Sequence, residues 1–455
     1  MESATQNQKL KAHVLIFPLP FQGHINTMLR LADALSFASG LRISFMNTER
    51  NQRLFSVFSP SPYSRLTHRP NFRFISIPDG LPDDKPQSGH QVLELLQSIR
   101  THSVDYFRAQ LLAGRNRDSD GWPPVTCVIV DGAMPFAMDA AQALGIPAIV
   151  FRTISASSLW VYLRFPQMIE AGELPFPADA DLDEPIKSVP ATESFLRRRD
   201  LPTMCRKATK AEDEELRFFA EVSASAIRSE GLILNTSNFL EAPVLSQLRS
   251  LFPNAYAVNS RLVGEVWKVG LDMKDVCGRE MVEKMAREAM EGEKAEELLQ
   301  VAKKMAVEIG RSVGEGGDSR LDLERLLRDI LSLSGRASGA TTNDQFDSAA
   351  AGVPMLCWPW AWDQQVNSRL VGEVWKVGLD MKDVCGREMV EKMVRTAMEE
   401  EKAEELLQVA TKMAAEIGRS VGVGGDSRLD FERLLRDILS LSVRASGGDE
   451  DERPV

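Results

Sequence analysis

The sequence predicts an α/β protein in which a parallel β-sheet is covered by helices. From residue 12 to about residue 258, short apolar runs rich in β-branched residues alternate with helical stretches, as in repeated strand-helix units. Several of these runs are apolar throughout, as is typical of strands buried on both faces. The second half follows another pattern, because residues 258–339 recur nearly unchanged as residues 366–447.

The bulk composition excludes several functional classes. The chain has 455 residues, 44% of them apolar, so it is long enough for two domains with buried cores. Its formal net charge of −11 includes no basic stripe, and we therefore expect no nucleic-acid partner. The polar start and the proline-broken run after it predict neither a signal peptide nor membrane insertion. Five cysteines without a C-x-x-C pair favour a cytoplasmic protein that has neither a disulfide framework nor a zinc site.

Polar residues gather where the predicted strands end. Residues 22–24 follow the first strand, Asp131 follows the fourth and Thr153 follows the fifth. Ligands of open α/β sheets bind at the carboxyl ends of strands, so these positions could converge on one crevice. The clearest strands are predicted at residues 13–17, 41–46, 72–77, 127–130, 148–151 and 232–235.

Two of these positions suit general-base chemistry. His24 stands where the first strand turns into an amphipathic helix, and Asp131 ends a strand that we place beside the first. A carboxylate there could accept the imidazole N–H and stabilise the imidazolium that forms during a reaction. Position alone leaves the roles open, because a histidine near a turn is more often structural and an aspartate after a strand is more often a helix cap.

A tryptophan-rich segment, AGVPMLCWPWAWDQQ, is the third candidate. A buried apolar strand leads into a loop with three tryptophans, which is followed by Asp363 and Gln364. Aromatic walls next to a carboxylate and an amide suit sugar recognition, because sugar hydroxyls need directional partners and sugar C–H faces stack on rings. A tryptophan-rich corner of the core explains the same residues equally well.

Four segments of the chain, in the same order, resemble plant UDP-dependent glycosyltransferases that act on small secondary metabolites. They read FQGHINTMLRLADAL, FISIPDGLPDD, PPVTCVIVDGAMPFAMDAAQALGIPAIVF and GVPMLCWPWAWDQQVNSR, and they are similar to the branches that glucosylate iridoid and related terpenoid acceptors. The resemblance implies a GT-B-like α/β fold with two Rossmann-like domains. It also implies a UDP-sugar as co-substrate, a small-molecule acceptor, no other cofactor, no metal and a monomeric protein.

The resemblance assigns roles to individual residues. It makes His24 the general base that deprotonates an acceptor hydroxyl or carboxylic acid, and it makes Asp131 the partner that orients the base. The deprotonated oxygen would attack the anomeric carbon with inversion and expel UDP. Thr153 would touch the sugar or its phosphate, and Asp363 with Gln364 would hold sugar hydroxyls. The full set of implied donor-binding residues is Thr153, Asn343, Asp347, Trp360, Asp363 and Gln364.

The carboxyl-terminal half departs from the family pattern. The tryptophan that stacks on uracil has no counterpart, and the diphosphate cradle is replaced by SGATTNDQFDS. Asn343 keeps its place there, Asp347 replaces a glutamate, and Asp344 falls where a serine would face the phosphates. A carboxylate about 4 Å from a phosphate charge costs on the order of 4 kcal/mol at an effective dielectric of 20. In the amino-terminal half, Arg152 replaces a tryptophan.

We therefore predict a GT-B-like protein whose carboxyl-terminal domain is incomplete. The predicted function is inverting transfer of glucose from UDP-glucose to a hydroxyl or carboxyl of a small lipophilic metabolite, and the missing cradle puts donor binding in doubt. The alternative is a catalytically dead acceptor-binding protein or the product of a rearranged gene. A nicotinamide oxidoreductase is disfavoured, because LPFQGH lacks the pattern G-x-G-x-x-G.

The predicted organisation has five parts. Residues 1–257 form an acceptor-binding α/β domain, 258–339 the first tail copy, 340–365 a remnant of the nucleotide-sugar motif, 366–447 the second copy and 448–455 an acidic tail. A solenoid is disfavoured, because stacked repeats need more than two copies.

Overall fold

A parallel sheet lies at the centre of the computed structural model. The structure describes residues 12–38, 40–58, 66–81, 92–113, 122–177, 179–259, 344–359, 362–381, 392–393, 396–397 and 400–447, which all belong to one compact unit. In these ranges the sheet has seven strands, β1 (Ala12–Phe17), β2 (Leu41–Thr48), β3 (Phe72–Ile77), β4 (Cys127–Asp131), β5 (Ala148–Arg152), β6 (Gly231–Leu234) and β7 (Ala255–Ala257). The six predicted strands are confirmed with small shifts at their ends. The short strand β7 gave no separate signal in the sequence.

The direction in which successive strands are added to the sheet reverses between β1 and β4. This place is the switch point of the sheet. The strands lie side by side in the order β3-β2-β1-β4-β5-β6-β7. β1 pairs with β2 on one side and with β4 on the other, where Leu15 lies opposite Val128 and Ile16 opposite Ile129. The connections leave β1 and β4 in opposite directions, and in open α/β sheets ligands bind at the carboxyl ends of two such strands. The predicted neighbourhood of the first and fourth strands is therefore confirmed.

Side chains on the two faces of the sheet belong to two separate apolar clusters. Leu15 and Val128 belong to one cluster, and Ile16 and Ile129 belong to the other. All four side chains are buried. Burial on both faces explains why several strands of this sheet are apolar throughout instead of alternating.

Helices alternate with the strands in the amino-terminal half, as predicted. No helix in the described ranges is long and apolar enough to cross a bilayer. The described helices are α1 (Gln22–Ser36), α2 (Glu49–Phe58), α3 (Val92–His102), α4 (Val104–Leu112), α5 (Pro135–Gln142), α6 (Ala156–Leu163), α7 (Phe165–Glu170), α8 (Thr203–Lys207), α9 (Glu214–Ser225), α10 (Asn238–Leu251), α11 (Asp344–Ala351), α12 (Gln364–Arg369), α13 (Glu400–Val421) and α14 (Asp426–Gly447).

A second, smaller parallel pair lies in the carboxyl-terminal half. It consists of β8 (Met355–Cys357) and β9 (Gly378–Asp380). Phe346 of α11, Trp375 and Ile417 of α13 form an apolar cluster of their own beside it. α11 ends before Gly352, whose φ of 71° is the left-handed conformation expected of a helix-ending glycine. Residues 260–339, nearly all of the first tail copy, lie outside the described residues.

The last helix of the second tail copy packs against the amino-terminal sheet. Phe431, Leu434 and Ile438 of α14 are buried in the same apolar cluster as Ile16 and Ile129. The hydroxyl of Tyr256, in β7, donates a hydrogen bond of 2.6 Å to Asp437 of α14. The end of the chain therefore contributes to the core of the domain formed by its beginning.

Glu241 fixes the start of α6, the helix that follows β5. Its buried carboxylate accepts the backbone N–H groups of Ala156 at 3.1 Å and Ser157 at 2.8 Å. It also accepts the hydroxyls of Ser157 at 2.7 Å and Thr236 at 2.8 Å. A negative charge at a helix N-terminus satisfies N–H groups that have no partner within the helix.

We expect Glu241→Ala to lower the free energy of unfolding by about 3 kcal/mol, because it leaves two buried N–H groups of α6 without their acceptor. Urea denaturation measures this loss. Glu241→Gln is the matched control, and it should lose less because its amide oxygen still accepts a hydrogen bond. A loss below about 1 kcal/mol in the alanine variant would show that α6 does not depend on this carboxylate.

Candidate active site

His24 lies in the first turn of α1, directly after the proline-flanked loop that leaves β1. The helix begins with a 2.9 Å hydrogen bond from the N–H of Ile25 to the carbonyl of Phe21. In the preceding loop, the N–H of Leu19 donates to the Asp131 carboxylate at 3.2 Å. The same carboxylate thus holds the loop from which the His24 helix begins.

The imidazole of His24 and the carboxylate of Asp131 are in direct contact. Nδ1 of His24 lies 2.6 Å from Oδ2 of Asp131, with side-chain exposures of 14% and 2%. This contact between residues far apart in the sequence was predicted and is confirmed. It arises because His24 follows β1, Asp131 ends β4, and these two strands are neighbours in the sheet.

Asp131 is held as a carboxylate despite its burial. Burial raises its pKa, but the charge and hydrogen bond of His24 and the N–H groups of Ala133 and Leu19 outweigh burial, so the pKa lies below its usual value. The N–H of Ala133 donates to Oδ1 at 2.9 Å. An ionised carboxylate accepts the Nδ1 proton of a neutral imidazole, which leaves Nε2 with a free lone pair.

Thr153 joins the same site from the end of β5. Its Oγ1 lies 2.9 Å from Nδ1 of His24, and the residue is buried. The carboxyl ends of β1, β4 and β5 therefore meet around one imidazole, as the positions of their polar residues predicted. The resemblance placed Thr153 against the sugar or its phosphate, and here its hydroxyl contacts the candidate base.

Asp363 is a second buried carboxylate of the site. It is 3% exposed, and the side-chain N–H of Asn367 donates to its Oδ2 at 2.7 Å. Burial raises the pKa of Asp363 to about 6, although the Asn367 hydrogen bond and the charges of His24 and Arg152 act to lower it. These two charges place Asp363 in the same electrostatic environment as the His24–Asp131 pair.

The other predicted donor residues are placed only in part. Gln364 is the first residue of α12 and is half-buried. Asp347 lies in α11, and its side chain is not among those described. Asn343 and Trp360 lie outside the described residues.

The tryptophan-rich segment divides between core and surface. The Trp362 ring packs edge-on against Phe219 with centroids 4.9 Å apart, and its backbone N–H donates to Thr203 at 3.1 Å. Trp358 is 41% exposed. For Trp362 the structure favours the core corner over a free aromatic wall, because its ring is packed against the amino-terminal domain.

Arg152 is a residue of the site to which the sequence assigned no role. It is the last residue of β5, is 5% exposed, and donates from Nη1 to the carbonyl of Gly132 at 2.7 Å. Burial lowers its pKa, which the charges of Asp131, Tyr162 and Asp363 act to raise. The sequence signal that could have identified Arg152 is a positively charged side chain at the end of the otherwise apolar strand AIVFR. Such a residue needs buried anions nearby, and their positions depend on the fold.

We expect Asp363→Asn to raise the free energy of unfolding at pH 8 by up to about 3 kcal/mol, because burial raises the pKa of Asp363 from 3.8 to about 6. The folded-state pKa lies above the unfolded value of 3.8, so wild type loses stability as the pH rises through about 6. The advantage of the variant should therefore shrink by about half between pH 8 and pH 5.

Urea denaturation at both pH values tests this expectation. Asp105→Asn is the control, since the Asp105 side chain is 82% exposed and should show no such dependence. A variant that is less stable than wild type at pH 8 would contradict the account of Asp363.

Comparisons with known proteins point to the same class of enzyme as the geometry of the site. No family model matches the chain. It is 36% identical over 473 residues to a myricetin 3-O-rhamnoside 1,2-glucosyltransferase of Crocosmia x crocosmiiflora, with 96% of this chain and 98% of that protein covered. It is 35% identical over 487 residues to a 7-deoxyloganetic acid glucosyltransferase of Catharanthus roseus, with 96% and 100% covered.

A solved structure shows the same fold at low sequence identity. The crystal structure of a UDP-glucose: anthocyanidin 3-O-glucosyltransferase in complex with UDP matches with a TM-score of 0.66 and 19% identity. The match covers 95% of this chain and 99% of that chain.

Proposed function

Because the chain belongs to the plant UDP-dependent glycosyltransferase family, we propose that it transfers glucose from UDP-glucose to a hydroxyl or carboxyl of a small lipophilic metabolite. The predicted GT-B-type α/β fold is confirmed by the solved relatives. The observation that carries the proposal is the 2.6 Å contact between His24 and Asp131 at the switch point of the sheet.

The geometry supports a general-base mechanism on the acceptor. Nε2 of His24 takes the proton of the acceptor hydroxyl or carboxylic acid while Asp131 stabilises the imidazolium that forms. The acceptor oxygen then forms a bond to the anomeric carbon of glucose. The bond from that carbon to the diphosphate breaks on the opposite face, so the configuration inverts and UDP leaves with the electron pair.

The acceptor class is inferred from the relatives. Two of them are named for 7-deoxyloganetic acid, and two others are named for 7-deoxyloganetin. We propose an iridoid or related terpenoid acceptor for this chain.

The cellular setting is part of the proposal. Within the described ranges, the thiols of Cys127, Cys205 and Cys357 are unpaired, which suits a reducing compartment. We propose a monomer that acts in the cytoplasm without membrane insertion.

We expect His24→Ala to lower kcat/KM by about a thousandfold, because the acceptor loses its base. Asp131→Asn should lower it by about a hundredfold, because the imidazolium loses its counter-charge. UDP release is measured with UDP-glucose and a panel of acceptors that includes 7-deoxyloganetic acid. His102→Ala, at an exposed position of α3, is the control and should keep wild-type turnover. Turnover in the His24 variant equal to wild type would remove the proposed mechanism.

The donor side supports a second, narrower proposal, namely that UDP binds weakly. Asp344 starts α11, and its side chain is not among those described; the family pattern has at this position a serine that faces the phosphates. A carboxylate near a phosphate opposes binding through charge repulsion, and Asp344→Ser removes it. If UDP does not bind at all, the chain is an acceptor-binding protein and not a working transferase.

We expect Asp344→Ser to strengthen UDP binding at least tenfold, and at most about a thousandfold, as measured by calorimetry. Asp105→Ser is the control, because it removes the same charge at an exposed site. Unchanged UDP affinity in the Asp344 variant would show that this carboxylate does not face the phosphates.

A further inference from the structure

Asn367 makes two buried side-chain hydrogen bonds that connect α6 to Asp363. Its side-chain N–H donates to Oδ2 of Asp363 at 2.7 Å, and its side-chain carbonyl accepts the hydroxyl of Ser158 at 3.1 Å. All three residues are buried. Hydrogen bonds in such a setting are stronger than in water, and a polar group that loses its partner there is costly.

The hydrogen bonds continue back to the start of α6 and all run in one direction. The hydroxyl of Ser155 donates to the hydroxyl of Ser158 at 2.8 Å. Ser158 donates to Asn367, and Asn367 donates to Asp363. In a chain of this kind each bond polarises the next, and this chain ends on a carboxyl group. The direction suits an ionised Asp363, because an ionised carboxylate can only accept.

An asparagine side chain is suited to position 367 because it accepts at one end and donates at the other. Leucine has a similar volume and can do neither, and a carboxylate at this position would repel Asp363. The backbone N–H of Asn367 also donates to the carbonyl of Asp363 at 3.0 Å, in the first turn of α12. Backbone and side chain of one residue therefore both hold Asp363.

The segment that anchors Asn367 also contacts the candidate base. Oγ1 of Thr153, at the end of β5, lies 2.9 Å from Nδ1 of His24. Ser158 lies five residues later, in the first turns of α6. The segment from Thr153 to Ser158 thus reaches His24 at one end and, through Asn367, reaches Asp363 at the other.

We propose that Asn367 is a positioning residue that, aimed by Ser158, holds the Asp363 carboxylate in the orientation that binds the sugar of the donor. One short segment between β5 and α6 then fixes the base and the sugar-binding carboxylate relative to each other. The role of Asp363 toward the sugar rests on the proposed function. The contact between Asn367 and Asp363 rests on the hydrogen bonds of the structure, so it can be tested without ligand or turnover.

The charge of Asp363 responds to groups on three other elements. His24 of α1 and Arg152 of β5 act to lower its pKa, and its own charge acts on Tyr162 of α6. The hydrogen bond from Asn367 also lowers this pKa, which burial raises to about 6. Loss of that bond should therefore raise the pKa further. Asp363 is mostly protonated at pH 5 with or without Asn367, whereas at pH 8 the wild-type carboxylate is charged and needs its donor.

The first experiment measures the stability of the full chain in urea at pH 5 and pH 8. Asn367→Leu should raise the unfolding equilibrium constant about tenfold more at pH 8 than at pH 5, the factor for one pKa unit at Asp363. In an Asp363→Asn background this increase should vanish. An equal effect at both pH values, or an increase that persists without Asp363, would overturn the proposal.

Asn254→Leu is the matched control for this experiment. It removes a side-chain hydrogen bond from an exposed asparagine to the carbonyl of Glu230, far in the sequence from the site. Any loss of stability that it causes should be equal at pH 5 and pH 8, because the lost acceptor does not titrate.

Ser158→Ala is the gentler variant, because it removes one buried hydroxyl and keeps Asn367. It should show the same pH dependence as Asn367→Leu to a smaller extent. In an Asn367→Leu background it should add nothing to that dependence, since Ser158 acts on Asp363 through Asn367. No pH dependence, or pH-dependent losses that add in the double variant, would overturn the proposal. This variant decides the matter if Asn367→Leu does not fold.

The last experiment measures donor affinity by calorimetry at pH 7, with UDP as the matched ligand that lacks the sugar. Asn367→Leu should weaken UDP-glucose about tenfold, because the carboxylate loses a charged hydrogen bond that orients it, and should leave UDP unchanged. Asn254→Leu should bind both ligands as wild type does. Unchanged UDP-glucose affinity, or equal weakening of both ligands, would overturn the proposal. If wild type binds neither ligand, the proposed function fails, and the stability measurements still decide whether Asn367 holds Asp363.

Discussion

The buried carboxylate of Asp131 joins three parts of the site. It accepts the N–H of Leu19 in the loop after β1 and the N–H of Ala133 after β4, and its Oδ2 lies 2.6 Å from Nδ1 of His24. A buried carboxylate without such donors would take up a proton or draw in water. The orientation of the base therefore depends on the pairing of β1 with β4, since that pairing brings the donors and the acceptor together.

Buried charge is the recurring feature of this chain around its site. Asp131, Arg152, Asp363 and Glu241 are all nearly inaccessible to solvent. Each buried charge opposes folding unless hydrogen bonds and opposite charges compensate for it. Two apolar clusters on the faces of the sheet supply the stability, and α14 from the end of the chain completes one of them. Proteins commonly lose some stability by keeping a functional site in its working arrangement, and the buried charges here follow that rule.

Much of the fold and half of the site can be predicted from the sequence, for identifiable reasons. The strands are apolar runs bounded by turns, and the polar residues at their ends predicted that His24, Asp131 and Thr153 would meet. Arg152 could not be interpreted in this way, because the carbonyl of Gly132 that accepts its hydrogen bond follows another strand, β4, and lies 20 residues away in the chain. The packing of Trp362 on Phe219 and of α14 on the sheet likewise depends on tertiary contacts that periodicity does not encode.

The central claim is that Asp131 holds His24 as a base, and it is tested most directly by finding which ring nitrogen of His24 carries the proton. In ¹⁵N-histidine-labelled protein, with the His24 signal assigned from a His24→Gln variant, NMR distinguishes the two neutral tautomers. The 2.6 Å contact predicts a proton on Nδ1, shared with Asp131, and a bare Nε2 that can accept the acceptor proton. A neutral ring protonated on Nε2 would contradict the account, because the base would then have no lone pair on that side.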